Sequence, residues 1–330
     1  MFGFRSDGKK VKGLDIIEKA GPFFMRQRID AVNYITVKVP CAPMDEFLAR
    51  ERKKGNHYSY MHLLFATIVR VLYTKKKLNR FIMRGTIYQR NTISITMDVK
   101  KKLTEEGEDM TLKFMFTGRE SLAKIKELVD SEIAKNLEGD KVDDTTTKAA
   151  GKFCKLPDFL FRWAMAIARW TDRHGMLPKA LIKASPFHTS AFITNLKSIK
   201  LGHIYHHLYN FGTTSMFFSM GKEQMEPVVE NNKDLRVAKI LNIGMSLDER
   251  VADGFYMGAS LKLFKELMQN PDSLLEEMPD DVSIPKKVVK KKAKKVAKVK
   301  KVSKAKKAKK IKPLKNKEKH DKRMKKKENA

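Results

Sequence analysis

The last 45 residues, Lys286–Ala330, limit what this chain can fold into. They hold 24 of its 69 lysines and arginines but only three of its 38 acids, a net charge of +21, with no aromatic residue and only scattered Val, Ile and Leu. Such a segment buries too little apolar surface to offset the entropy of ordering it. The folded protein is therefore expected within residues 1–285, and the formal charge of +31 for all 330 residues divides into a basic tail and a body of +10. Two cysteines, Cys41 and Cys154, make neither a disulfide framework nor a zinc site, and suit a reducing compartment. The start, MFGFRSDGKKVKG, has no signal-peptide core, and the longest greasy stretch, Met61–Tyr73, is interrupted by Arg70. A soluble cytoplasmic protein with no transmembrane segment is expected.

Within the body the apolar periodicity changes along the chain. Leu64, Phe65, Ile68, Val71 and Leu72 recur at helical spacing, and the helix they predict ends near Lys75–Lys77, where cations suit the negative end of the dipole. Ile93, Ile95, Met97 and Val99 alternate with polar residues, and Leu112, Phe114 and Phe116 repeat the pattern, which predicts a β-hairpin joined through Glu105–Glu108. A helix follows, with Leu122, Ile125, Val129 and Ile133 on one stripe. Beyond the polar stretch Glu138–Ala150 another is predicted over Pro157–Arg173. Strands are predicted over Ser190–Leu196, Thr213–Met220 and Val237–Leu247, then a last helix from near Asp253 to Asn270. Segregated helices and antiparallel-looking strands give an α+β class. A repeating βαβ unit with a Gly-rich phosphate turn is absent from the pattern.

The segment LDERVADG, Leu247–Gly254, joins the last strand to the last helix. If the strand alternation continues, Glu249 shares a face with Ile243, Met245 and Leu247, and its carboxylate points inward, where desolvation would raise its pKa. Asp253 stands where a helix N-cap is required.

LDERVADGFYMGASLKLFKELMQNP resembles the closing segment of the acyltransferase component of 2-oxo acid dehydrogenase complexes and of chloramphenicol acetyltransferase, where a strand ends in H-x-x-x-D-G before a helix. FITNLKSIKLGHIYHHLYNFGTTSMFFSMGK, Phe192–Lys222, is similar to that family's strand, loop and following strand, and NYITVKV, Asn33–Val39, matches more weakly. The similarity runs in order over roughly Phe23–Pro271. It implies a chloramphenicol acetyltransferase-like α+β fold with a mixed sheet and packed helices, and a homotrimer with active sites between subunits. Coenzyme A or acyl-CoA is implied as substrate. Thr194 matches the hydroxyl residue that steadies the oxyanion, Asp253 the motif Asp and Gly254 the glycine; Glu249 stands where the family has its histidine base. An arginine should hold the motif Asp, and Arg26 and Arg28 are the alternatives. A Glu base needs its pKa raised by about two units to match imidazole near neutrality, which an apolar tunnel can supply.

His203, His206 and His207 follow the Thr194 strand in a loop or short helix. They offer a substitute base; His203 and His207 would share a helix face, but no third ligand stands at metal spacing, so no metal is expected. Lys141, in EGDKVDD, sits inside the body and not in a lipoyl domain, so a free-standing enzyme without lipoyl attachment is expected. The domain reading is an N-terminal extension (1–22), an acyltransferase-like body (23–285) and the Lys-rich tail (286–330). Lys286, Lys287, Lys290, Lys291, Lys292, Lys294 and Lys295 open a run suited to salt-sensitive, sequence-independent binding of DNA, RNA or another polyanion, with anionic membrane as a rival. Two functions follow: a CoA-dependent acyltransferase using Glu249, or a catalytically silent trimeric scaffold that binds polyanions through its tails.

Overall fold

A computed structural model describes residues 5–100, 109–137, 156–230 and 234–279. The Glu105–Glu108 connection, the Glu138–Ala150 stretch with Lys141, Cys154 and the Lys-rich tail from Lys286 lie outside the described residues.

The backbone of the body is a seven-stranded mixed sheet. Strands β2 (Val32–Pro40), β10 (Asp234–Asp248), β8 (Met216–Met220), β7 (Ala191–Asn195), β5 (Ile93–Lys100) and β6 (Asp109–Phe116) lie side by side in that order, with β9 (Gln224–Glu230) paired to the first half of β10. The pairs β2–β10, β10–β8 and β5–β6 are antiparallel, whereas β8–β7 and β7–β5 are parallel. A second, three-stranded antiparallel sheet has the order β1 (Gly8–Lys10), β4 (Thr86–Arg90), β3 (Arg80–Met83).

Because side chains alternate along a strand, the large sheet has two chemically different faces. Ile95, Ile193, Phe218, Ile243 and Met245 form one, buried in the main core. Onto it pack α2 (Ala42–Lys53), α3 (Tyr60–Thr74), α4 (Leu122–Leu137) and α7 (Gly254–Gln269), whose buried apolar residues join the same core. Helix α3 is buried over almost its whole length; Ser59 and His62 form its capping box, and His62 Nε2 lies 2.9 Å from Asp130. Such a capping box satisfies two otherwise unpaired helix-start amides.

The opposite face carries Ser94, Thr96, Thr194, Ser219 and Ser246. It is covered in part by the irregular segment 201–210, whose Leu208 packs with Phe192 and Phe217 in a small separate cluster. Gly244 makes that cover fit: a Cβ there would lie 2.2 Å from the Ile204 carbonyl oxygen. Ser219 Oγ donates to the same carbonyl and accepts from Ile204 N–H at 3.1 Å.

Three more, α1 (Ile16–Phe24), α5 (Asp158–Arg173) and α6 (Lys179–Ala184), complete the α-helices among the described residues. The compact unit runs from Met1 to Asp280. Strand β1 pairs with β4, and Val11 and Leu14 pack on the core. No described helix is long and apolar enough to cross a membrane.

Candidate active site

The strand β10 ends at Asp248, and Glu249–Val251 turns as a single 3-10 coil before α7. That turn breaks the alternation that would have aimed Glu249 inward. In the chain taken alone Glu249 is exposed, and its Oε2 accepts a hydrogen bond from Asn33 Nδ2 at 2.8 Å. The buried carboxylate here is its neighbour, Asp248, which accepts from Arg250 Nε at 2.8 Å, Nη2 at 2.6 Å and the Arg250 amide at 3.1 Å. Arg250 Nη1 donates onward to the Met25 carbonyl at 2.8 Å, tying the strand end to the α1 segment.

Asp253 is the N-cap of α7: its side chain accepts from the Tyr256 amide at 2.8 Å, and this bond holds the carboxyl below its usual pKa. Lys77 Nζ stands 3.6 Å away. Neither Arg26 nor Arg28 holds Asp253. Arg28 is buried and donates instead to the carbonyls of Tyr209, Asn210 and Gly212 at 2.7–3.1 Å, an anchoring of the 209–212 segment that its interval from β2 did not reveal. Arg26 is exposed.

Glu249, Asp253 and Gly254 line a cavity of about 1320 Å³. Its lining includes the apolar Ile16, Ile17 and Met25 from the α1 segment and Met257 and Leu261 from α7, beside Asp15 and Glu18. Asn33 and Tyr34 of β2 border the carboxylate.

Thr194 lies in another part of the sheet. It is half-buried on the polar face, opposite Ser219 of β8, which in turn stands opposite Gly244 of β10. Glu249 is five residues beyond Gly244, so the two groups are separated by roughly 17 Å along the strand direction at about 3.4 Å per residue. One chain does not bring them together. The polar face on which Thr194 stands is covered in part by the histidine segment, which is irregular and so does not set His203 and His207 on one helix face. His206 stacks on Phe217, with centroids 3.9 Å apart and planes at 9°, and burial pushes its pKa below the usual imidazole value. His203 Nε2 is 2.9 Å from Thr36 Oγ1, which also hydrogen-bonds the Tyr205 hydroxyl. His207 is exposed. Among the described residues no cluster of three His, Cys, Asp or Glu is placed to hold a metal ion.

Sequence patterning missed Asn33, the Asp248–Arg250 pair and Thr36. Asn33 and Thr36 look like ordinary alternate residues of a strand, and only the register of β2 against β10 places them beside the site.

This architecture is an α+β acyltransferase fold. The family model described as "2-oxoacid dehydrogenases acyltransferase (catalytic domain)" matches residues 213–276, the stretch that holds β8 to α7 and therefore Glu249, Asp253 and Gly254. The resemblance drawn from the sequence motifs is upheld by that match. Among solved structures, the cubic core of the pyruvate dehydrogenase multienzyme complex superposes with a TM-score of 0.50 at 14% identity, covering 81% of this chain and 94% of that one. A structure addressing the roles of a serine, a histidine and an asparagine in the catalytic mechanism of Azotobacter vinelandii dihydrolipoamide acetyltransferase gives the same values, TM-score 0.50, 14% identity, and coverage of 81% and 94%. A chloramphenicol acetyltransferase is covered over 99% by 79% of this chain, at 13% identity and a TM-score of 0.48. No curated protein sequence matches.

Proposed function

We propose that this protein is a CoA-dependent acyltransferase whose active site forms where the Glu249 cavity of one subunit meets the Thr194 strand of another. The observation that carries this reading is the placement of Glu249, Asp253 and Gly254 on one cavity within the matched segment 213–276. In the Azotobacter relative, the histidine and asparagine whose roles were tested stand four residues apart, as Glu249 and Asp253 do here.

In the proposed reaction an acceptor thiol or hydroxyl gives its proton to Glu249 as its sulfur or oxygen attacks the thioester carbonyl of acyl-CoA. The tetrahedral oxyanion is stabilised by the Thr194 hydroxyl. Collapse breaks the carbon–sulfur bond, and the CoA thiolate takes the proton back from Glu249. Asn33 orients the carboxylate, and Asp253 fixes the start of α7. Closure by a second subunit or by the acyl chain supplies the desolvation that an exposed carboxylate lacks.

Exposed apolar residues support assembly. The β9–β10 hairpin presents Met225, Val229, Leu235 and Val237 to solvent, and Ile16 and Ile17 stand bare at the mouth of the cavity. Contiguous apolar surface of this kind marks interaction sites. The related pyruvate dehydrogenase core forms a cubic assembly, and a homotrimer is proposed here.

Acyl-CoA turnover by the full chain tests the enzyme reading. Glu249→Gln should lower kcat by about 100- to 10,000-fold, the usual contribution of a general base, with the unfolding midpoint unchanged. Equal turnover in parent and variant would remove Glu249 from the chemistry. The tail, with 24 cations in 45 residues, is proposed to place the enzyme on a polyanion in a cytoplasmic setting. Its DNA binding should weaken steeply with salt and vanish on truncation at Lys286. Unchanged binding after truncation would contradict this. If turnover is absent while that binding persists, the silent scaffold is the reading that remains.

A further inference from the structure

On the other side of α1 from Glu249 lies a second cavity, of about 690 Å³, whose chemistry is the opposite of the first. Six arginines line it: Arg26, Arg28, Arg84, Arg169, Arg173 and Arg250. The one acidic lining residue is Asp172, and it is already committed. Arg5 Nη1 donates to its Oδ1 at 2.9 Å and to its carbonyl at 2.7 Å, while His188 Nε2 stands 3.1 Å from the same Oδ1. Burial works against this carboxyl's ionisation, yet His188 and Arg5 outweigh it and hold its pKa below the usual range. Asp172 is therefore shared between Arg5, His188 and a longer-range attraction to Arg28, and it pairs directly with none of the six.

Two of the arginines are structural. Arg250 holds Asp248, and Arg28 holds the 209–212 carbonyls. Arg28 is only 6% exposed, burial pushes its pKa down to about 10, and its Nε is left with no acceptor among the described residues. A buried guanidinium with a spare donor is costly unless a negative group reaches it. The other four, Arg26, Arg84, Arg169 and Arg173, are exposed and engage no acid among the described residues. They come from separate parts of the chain: the end of the α1 segment, the β3–β4 turn and α5.

The turn adds an independent sign. Met83 pairs with Thr86, so Arg84 and Gly85 form a two-residue hairpin loop with φ of 50° and 71°. Such turns favour Asn, Asp or Gly because the left-handed conformation is strained for other residues. Arg84 occupies the strained position and lines the cavity. Backbone strain of this kind clusters at ligand sites.

We infer that this cavity is a binding site for the phosphoryl group of a small organic phosphate. Arginine's planar fork matches phosphate oxygens, and several guanidiniums can share one dianion or diphosphate. The volume falls within the usual small-molecule range of about 300–1,000 Å³. Phe23 and Phe211, which also line the cavity, offer apolar contact to the organic part. The site shares only Arg250 with the Glu249 cavity and stands whether or not acyl transfer does.

Titration of the full chain with pyrophosphate, followed by calorimetry at fixed ionic strength, tests the inference. Arg169→Ala combined with Arg173→Ala removes two exposed, unpaired guanidiniums, so the fold should survive, which its unfolding midpoint verifies. Pyrophosphate affinity should fall by at least about tenfold, since charge-assisted contacts are lost. A control pair, Lys179→Ala with Lys183→Ala on α6, removes the same charge outside the cavity and should change affinity less than about twofold by weakening only general attraction. The Lys-rich tail is present in every variant and cancels. No pyrophosphate binding by the parent, or equal loss in the two double variants, would overturn the inference.

Competition separates the sources of the phosphate. If coenzyme A displaces pyrophosphate in an Arg169- and Arg173-dependent way, the site takes the phosphate end of that substrate. If pyrophosphate binds and coenzyme A does not displace it, the site serves another phosphate ester and the inference holds. Turnover of acyl-CoA without arginine dependence, together with no pyrophosphate binding, leaves acyl transfer standing and removes this site.

Discussion

The two faces of the large sheet are made by neighbouring residues of the same strands and do different work. Phe218 points into the main core and stacks on Phe264 at 5.9 Å, whereas Phe217, one residue earlier, points to the polar face and carries the His206 ring. On the first face the helices exclude water from Ile95, Ile193, Ile243 and Met245. On the second, Ser, Thr and Asn side chains stand beside Phe192 and Phe217, and Ser246 Oγ and Asn242 Oδ1 are buried with no hydrogen-bond partner among the described residues. A native core rarely tolerates such groups. The apolar face holds the fold, and the polar face carries buried groups left unpaired among the described residues.

That contrast can be broken by substitution. Phe218→Ala should cost about 3–5 kcal/mol of stability, as expected for truncating a buried aromatic, read as a lower denaturant midpoint. Thr194→Val on the other face should change stability by no more than about 0.5 kcal/mol, because its hydroxyl has no hydrogen-bond partner among the described residues. Its effect belongs in kcat, with a fall of about 100- to 1,000-fold for a lost oxyanion donor. If Thr194→Val destabilises as much as Phe218→Ala, the polar face is structural and the contrast fails.

Much of this was legible in the sequence where periodicity was strong. The helices over 60–74, 122–137 and 254–269 and the strands over 93–100, 109–116 and 191–195 follow from apolar spacing within a few residues. The segments that escaped have weaker signals. β1 is three residues long, β9 contains Pro227, and α1 carries Pro22 inside it, which argues against a helix from local rules. For the site, the motif led to Glu249 and Asp253, but not to their orientation. A single 3-10 coil after Asp248 reversed the expected inward carboxylate, and no period-2 pattern announces where a strand will stop. The arginine cavity was invisible because its members lie up to 224 positions apart, from Arg26 to Arg250, and meet only in the fold.

Glu249 and Thr194 are proposed to act together from different subunits, because one chain holds them roughly 17 Å apart along the sheet at about 3.4 Å per residue. Co-assembly of Glu249→Gln with Thr194→Val, each inactive alone, measures this most directly. If each site takes Glu249 from one subunit and Thr194 from the next, an equal mixture of trimers regains about a quarter of parent activity, since three quarters of the trimers are mixed and each has one intact site of three. No recovery in verified mixed trimers would contradict the account.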